Sequence, residues 1–328
     1  MRTITTSEYR CYQSCPRKHH YSYDECVRPV ESAESQRFGS LVHVALEAWW
    51  SAPDDPLRAA MAALASSECD PVSRVLAEEL MRLYDARWGQ EPYEVLAVEV
   101  EFSTELRNPE TGGVSKTFRL GGKIDAIARD QRDGRVVIVE HKTSSENIGP
   151  GSEYWRRLQI DNQISTYFVG ARAIGHDAAA CLYDVIGKPK IRPRLATPEA
   201  ERKYTKSGAL YANQRAEDES LEDFRTRLRE ELESEPSRWL QRGEVVRLES
   251  EEQDAAFDAW QIAAQIREGA RLGRHPRNPS SCSSYGRTCP YFDVCTGVAS
   301  LDDTTRFRRL ESAHEELSNN QGASHAAQ

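Results

Sequence analysis

Residues 121–144 read GGKIDAIARDQRDGRVVIVEHKTS, and they leave the backbone few choices. Phe118–Arg129 and Arg135–Lys142 are strand-like runs flanking the five residues Asp130–Gly134, whose glycine suits a tight reversal, so a β-hairpin is expected. Centred on that turn, Asp125 and Glu140 lie at equal distances from it and face each other. Period-two alternation then sends Ile138, Glu140 and Lys142 to one face, and Val137 and Val139 to the other. Like charges opposed across an antiparallel pair cost up to about 1 kcal/mol. Two carboxylates so placed, with a lysine on the same face, ask for a compensating cation. A hard divalent metal held by carboxylate oxygens, a backbone carbonyl and water would provide it, and would stabilise charge on a phosphodiester undergoing hydrolysis. Lys142 would then orient or help deprotonate the attacking water, or stabilise the oxyanion. The plainer alternative makes Asp125 a turn cap and Glu140–Lys142 a solvated strand end. The apolar run Val136–Val139 weighs against it, because a carboxylate ending a buried strand is costly without a partner.

The rest of the chain surrounds that hairpin with helices. Phe38–Trp50 carries Phe38, Leu41, Val42, Ala45, Leu46 and Trp49 on one stripe, a helical pattern. A second helical stretch, Leu57–Trp88, is split by the Ser-Ser-Glu-Cys-Asp-Pro interruption at 66–71. Glu94–Leu106 reads as a strand, Tyr154–Ile174 as one long helix, and Cys181–Ile186 as a further strand ended by Gly187 and Pro189. Residues 190–220 are polar and weakly patterned, which suggests an inserted or mobile segment, and amphipathic helices are expected over Leu221–Leu240 and Asp254–Leu272. The order of helices, strand meander and helices predicts an α/β or α+β fold around one small mixed sheet.

Charge and cysteine usage narrow the function. Forty-three basic against 52 acidic residues leave a net charge of −9 over 328 residues, which excludes a histone-like wrapper acting through a global positive field but allows a local basic groove. No run of 18 apolar residues occurs, and the N-terminal MRTITTSEYRCYQSCPRKHHY has no apolar core for a signal peptide, so a cytoplasmic protein with no membrane partner is expected. Eight cysteines stand at 11, 15, 26, 69, 181, 282, 289 and 295, the last three within 14 residues. In a reducing compartment such clustering reads as metal ligation rather than disulfides.

GGKIDAI followed by VIVEHKT resembles motifs II and III of the PD-(D/E)xK nuclease superfamily, in its RecB-like branch with the Cas4-type exonucleases and the AddB nuclease domain. Gly39-Ser-Leu-Val-His43 resembles that branch's G-x-x-x-H helix, and Gln163-Ile-Ser-Thr-Tyr167 its Q-x-x-x-Y motif. The resemblance implies a restriction-endonuclease-like core, a small mixed sheet flanked by helices, with a helical N-terminal region and a Cys-clasped C-terminal segment. It spans a single nuclease domain over 1–300: a helical region at 1–90, the core at 91–187, a helical or inserted region at 188–273 and a cysteine segment at 274–300. A tail, 301–328, follows, and its end, SNNQGASHAAQ, is expected to be disordered. By the same resemblance His43, Asp125, Glu140 and the backbone carbonyl of His141 hold Mg²⁺ or Mn²⁺, Lys142 completes the catalytic set with Asp125 and Glu140, and Gln163 and Tyr167 position DNA. Without it, His43 would be an ordinary surface or core histidine, and Gln163 with Tyr167 a polar stripe at i, i+4.

The activity so implied is metal-dependent DNA exonuclease action on single-stranded or frayed ends, in repair, recombination or phage DNA processing, with DNA as partner and a helicase or recombination protein as a further one. A non-catalytic DNA-binding subunit and a structure-specific endonuclease are the alternatives. Glu99 and Glu101 alternate onto one face of the preceding strand and are expected to be exposed. Arg17, Lys18, Arg156 and Arg157 are expected along the strand's path, with Tyr154 and Trp155 stacking bases.

Cys282-x6-Cys289-Pro-x4-Cys295 lacks the paired C-x2-C knuckles of a zinc ribbon. Three thiolates need a fourth from Cys11, Cys15 or Cys26, and Cys15-Pro16-Arg17 resembles the N-terminal cysteine of the iron–sulfur nucleases, with Cys11 as the alternative. The resemblance implies a [4Fe–4S] cluster tying the chain ends together, with zinc as the other possibility. Cys69 and Cys181 are expected to be ordinary cysteines.

Overall fold

A computed structural model describes residues 1–31, 34–284 and 286–317. The chain opens with β1 (Arg2–Ile4), α1 (Thr6–Ser14) and α2 (Pro16–His19), a π-helical turn at His20–Asp24, and β2 (Val27–Pro29). Three helices follow, α3 (Glu34–Ser51), α4 (Pro56–Ser66) and α5 (Pro71–Trp88). Their boundaries are written locally. Asp55 caps α4 and Asp70 caps α5, each accepting a backbone N–H three residues on, and each is followed by a proline at the first helical position, which needs no donor there. The expected split of the second helical stretch is the α4–α5 boundary.

The long strands β3 (Tyr93–Arg107) and β4 (Val114–Asp130) lead to β5 (Val136–Ser144), then α6 (Glu153–Arg157), α7 (Asn162–Ala173) and β6 (Ala178–Gly187). After the irregular 188–220 segment come α8 (Leu221–Ser234), α9 (Pro236–Trp239), β7 (Leu240–Val245) and α10 (Glu249–Leu272). The chain closes with the two-residue ribbon β8 (Ser283–Ser284) and β9 (Arg287–Thr288), α11 (Phe292–Thr296) and β10 (Phe307–Arg309). Among the described residues no helix is long and apolar enough to cross a membrane.

Six strands form one mixed sheet in the order β1-β4-β5-β6-β7, with β3 along the other edge of β4. The hairpin register is Ala126↔Val139 to Arg129↔Val136, centred as the sequence predicts. Because β3 follows β4 along one edge, β1 (against Phe118–Leu120) and β5 (against Ala126–Arg129) share the other. Between them the sheet forks, and Asp125 sits at the fork. Helices cover both faces. Trp50 of α3 packs on Ala126, Ala128, Val137 and Val139, whereas Ile164 and Phe168 of α7 pack on Ile127, Ile138 and Tyr183. A separate helical core joins α3, α4, α5 and α8, and α1 with α10 closes the end of the sheet near β1. This is the mixed α/β, restriction-endonuclease-like arrangement that was expected.

Four details differ from the sequence reading. Trp50, not Trp49, is the fully packed tryptophan of α3; Trp49 is half-buried and donates to Asp85. The helix read over 154–174 is two, because the Asp161 carboxylate caps α7 by accepting the Gln163 N–H at 2.8 Å, a local bond that competes with helix continuation. The helix read to Leu240 stops at Ser234, before Glu235-Pro236, and Leu240–Val245 pairs with β6 instead. Residues 301–317, read as belonging to a tail, contribute β10, which pairs with β2; the SNNQGASHAAQ end lies outside the described residues.

Candidate active site and a cysteine-lined cavity

The fork is built by three elements. Carried one residue past Ala126↔Val139, the hairpin register sets Asp125 across from Glu140. There the ladder gives way to a side chain: Asp125 Oδ2 accepts the His141 backbone N–H at 2.7 Å. From α3, His43 brings Nδ1 to 3.9 Å from the same Oδ2. Burial lowers the pKa of His43, with the Asp125 charge opposing, so the imidazole is held toward its neutral, lone-pair-bearing form.

Glu140 is buried. One of its oxygens, Oε1, pairs with Lys142 Nζ, and the other, Oε2, has no hydrogen-bond partner among the described residues. An orphaned carboxylate oxygen in the interior is costly. Burial raises the Glu140 pKa, Asp125 adds to the rise, and Lys142 opposes it. For Lys142 burial acts downward, but Glu140 and Asp125 override it and keep the ammonium charged. Two carboxylates, one of them with an unsatisfied buried oxygen, and an imidazole held toward its neutral form are donor types suited to a divalent cation.

The His141 side chain points to the opposite face, where it is buried beside Trp50. Its Nδ1 lies 3.2 Å from Asp184 Oδ2, which also accepts from Tyr84 Oη and, at 3.0 Å, from Arg242. Burial alone would raise the Asp184 pKa; Arg242 and His141 hold it well below the usual carboxylate range. This buried network fixes the backbone at residue 141 and was not foreseen. Its members come from α5, β5, β6 and β7, and no local motif joins them.

Gln163 and Tyr167 share a face of α7, as their spacing predicts, and Gln163 Nε2 donates to Tyr167 Oη at 2.6 Å. Tyr167 is buried, and burial, then Glu140 and Asp125, push its pKa well above 10. The packing that brings α7 this close depends on glycines: a Cβ on Gly122 would sit 2.8 Å from Phe102, and one on Gly170 2.6 Å. Arg10 of α1, which carried no motif, donates to Gln163 Oε1 at 3.3 Å and pairs with Asp161. Its guanidinium is half-exposed at the same edge as Lys142.

Several expected neighbours are engaged elsewhere. Trp155 packs edge-on and Tyr154 at a tilt against Tyr183, and Trp155 Nε1 donates to the Ile148 carbonyl at 2.7 Å. Arg156 and Arg157 pair with Glu153 and Glu146. Glu99 and Glu101 are half-buried rather than exposed, since β3 lies under the helices there. Glu99 pairs with Lys123 beside Asp125, on a left-handed backbone with φ of 54°.

Cys15, Cys282, Cys289 and Cys295 line one cavity of about 440 Å³, together with Lys18 and Tyr291. Cys11 does not line it, and Cys26 lines a different one. Among the described residues no three of these thiols lie within 4.8 Å of one another. The surrounding chain is already docked: Asn278 Nδ2 and Ser281 Oγ donate to the Ser14 carbonyl at 2.8 and 2.7 Å, and Arg17 Nε to the His275 carbonyl at 2.8 Å. Arg17 thus binds the chain that leaves α10, and Lys18 lines the cysteine cavity. Cys181 is buried in the sheet core, and Cys69 packs against the helical one.

A family model described as the PD-(D/E)XK nuclease superfamily matches residues 3–296. No curated protein matches the chain. Among solved structures, one titled "Crystal structure of SSO0001" aligns at 17% identity and a TM-score of 0.27, covering 71% of this chain and 76% of that one, a likeness too loose to carry an argument.

Proposed function

The chain belongs to the PD-(D/E)XK nuclease superfamily, and on that premise we propose that it is a Mg²⁺- or Mn²⁺-dependent DNA exonuclease of the RecB-like, Cas4-type branch, acting on single-stranded or frayed ends. The observation that carries the reading is the fork. Asp125 and His43 meet at 3.9 Å where β5 leaves β4, and the buried Glu140, with its unsatisfied Oε2, stands across from Asp125 in the hairpin register. His43, Asp125, Glu140 and the His141 carbonyl would hold the cation, which supplies the Lewis acidity that phosphodiester hydrolysis needs.

The protein's own groups do the rest. Asp125 fixes the His141 amide, so the adjoining carbonyl is held in place. Lys142, kept charged by two carboxylates, acts as a donor that stabilises the oxyanion and orients the attacking water. Gln163 and Tyr167 hold each other at the site's edge, and the half-exposed Arg10 beside them suits a phosphate of the bound strand.

The four cysteines would hold a [4Fe–4S] cluster. The four thiols line one cavity of about 440 Å³, which suits a multi-iron cluster held by four cysteines. Free thiols of this kind belong in a reducing cytoplasm, and a helicase that opens duplex ends would supply the substrate.

The test is cleavage of end-labelled linear and covalently closed circular single-stranded DNA with Mn²⁺, comparing wild type with Lys142→Ala. Degradation of linear DNA alone, lost in the variant, is the expected result. Cutting of circles would make the protein an endonuclease. No cleavage by folded, cluster-loaded wild type would leave a non-catalytic DNA-binding subunit.

A further inference from the structure

A second group of metal-ligating side chains lies outside the fork and does not line the cysteine cavity. We propose that His20, Asp24 and His275 form a site for a divalent transition metal of the zinc class, clasping the N-terminal π-helical turn to the chain that leaves α10. One ligand atom from each of the three lies within 4.8 Å of the other two. Ligands of a tetrahedral zinc, at about 2.0–2.1 Å from the metal, are closer together than that, so the three side chains close in when the metal binds. Two imidazoles and one carboxylate select a first-row transition metal over Mg²⁺.

Each ligand is already oriented from behind, as metal ligands generally are. Arg2 donates to Asp24 Oδ1 at 2.8 Å and leaves Oδ2 facing His20 Nδ1 at 3.2 Å. The other nitrogen of His20 points at Glu25, 3.7 Å away. The His275 backbone is held by Arg17. The two rings stack at 3.9 Å with planes 6° apart, so one ring turns out of the stack to bring both lone pairs onto a shared metal. A π-helical turn is itself an uncommon element that tends to occur at functional sites. The three side chains line a cavity of about 810 Å³, also lined by Cys26, whose backbone is left-handed at φ of 52°. Such strain in a non-glycine residue is a further mark of a functional position.

The experiment uses the full chain with its cysteine cluster loaded and excess Mg²⁺ present, and titrates Zn²⁺. Metal content after desalting is compared with that of His20→Ala and His275→Ala, and zinc-edge X-ray absorption is read on the wild type. One equivalent of zinc with two imidazole nitrogens in its shell, lost in both variants, is expected, as is a zinc-dependent rise in melting temperature in the wild type alone. No bound zinc, a sulfur shell, or equal stoichiometry in folded variants would overturn the proposal. Should either variant not fold, the absorption spectrum of the wild type decides alone. DNA cleavage with Mn²⁺ does not enter the readout, so failure here leaves the nuclease reading standing.

Discussion

The Asp125 carboxylate accepts the His141 backbone N–H at 2.7 Å, one residue beyond the last pair of the β4–β5 ladder. A side chain thus completes a strand pairing at the point where the strands separate, and its charge stays at the fork.

That double duty separates two substitutions. Asp125→Asn keeps an acceptor for the His141 amide, so its melting temperature should stay near wild type while cleavage falls about a hundredfold or more. Asp125→Ala also strands the amide and should unfold about 1–3 kcal/mol more easily. Denaturant unfolding beside a cleavage assay checks both, and equal stability of the two variants would contradict the bridging role.

In the proposed reading Arg10, held by Gln163 and Asp161, meets a phosphate of the bound strand and not the reacting atoms. Arg10→Ala should weaken DNA binding evenly across sequences and lower the salt dependence of binding by about one ion, with KM rising and kcat nearly unchanged. Binding isotherms at several salt concentrations measure it.

Among the cysteines, Cys15 lines the shared cavity and Cys11 does not. Anaerobically purified Cys15→Ser and Cys282→Ser should be colourless and low in iron, while Cys11→Ser and Cys69→Ser keep the brown colour of wild type. Iron content and visible absorption distinguish them, and a colourless, folded, iron-free wild type would dismiss the cluster.

Glu219 ties the irregular 188–220 segment to α8, accepting from Arg227 and from the Arg194 backbone N–H at 2.8 Å. Arg227, with the Arg194 amide, holds its pKa at about 2 against the ordinary 4.5. A lowered carboxylate pKa means that the unfolded chain binds more protons between those values. The stability it contributes is therefore full above about 4.5 and lost as the pH falls toward 2. Glu219→Gln should flatten that acid limb and speed proteolysis of the segment at neutral pH.

The hairpin was legible because two local signals agree: period-two alternation around a glycine turn admits few registers, and the neighbouring apolar run marks the strand as buried. His43, Gln163 and Tyr167 were legible only by resemblance, since a lone histidine or an i, i+4 pair has no physical signature of its own. Arg10 and Asp184 were not legible at all. Their partners lie 153 and 43 residues away in sequence, for Gln163 and His141 respectively, and arise from packing. The strand Leu240–Val245 was hidden because Gln241, Arg242, Gly243 and Glu244 break its apolar pattern; Arg242 is buried only because Asp184 and Glu91 are there to meet it.

The docking of Ser281 on Ser14 spans 267 residues, and β10 closes onto β2 from still nearer the C-terminus. During synthesis the helix that carries Arg10 therefore waits, without its C-terminal supports, until almost the whole chain has left the ribosome. Closing so long a loop carries a large entropic cost, one that the sheet and its helices must offset by forming first. Nascent chains would thus hold the fork's carboxylates before they hold the edge that Arg10 and Gln163 build. Truncated products of interrupted translation would accordingly be poor at gripping the nucleic acid around them.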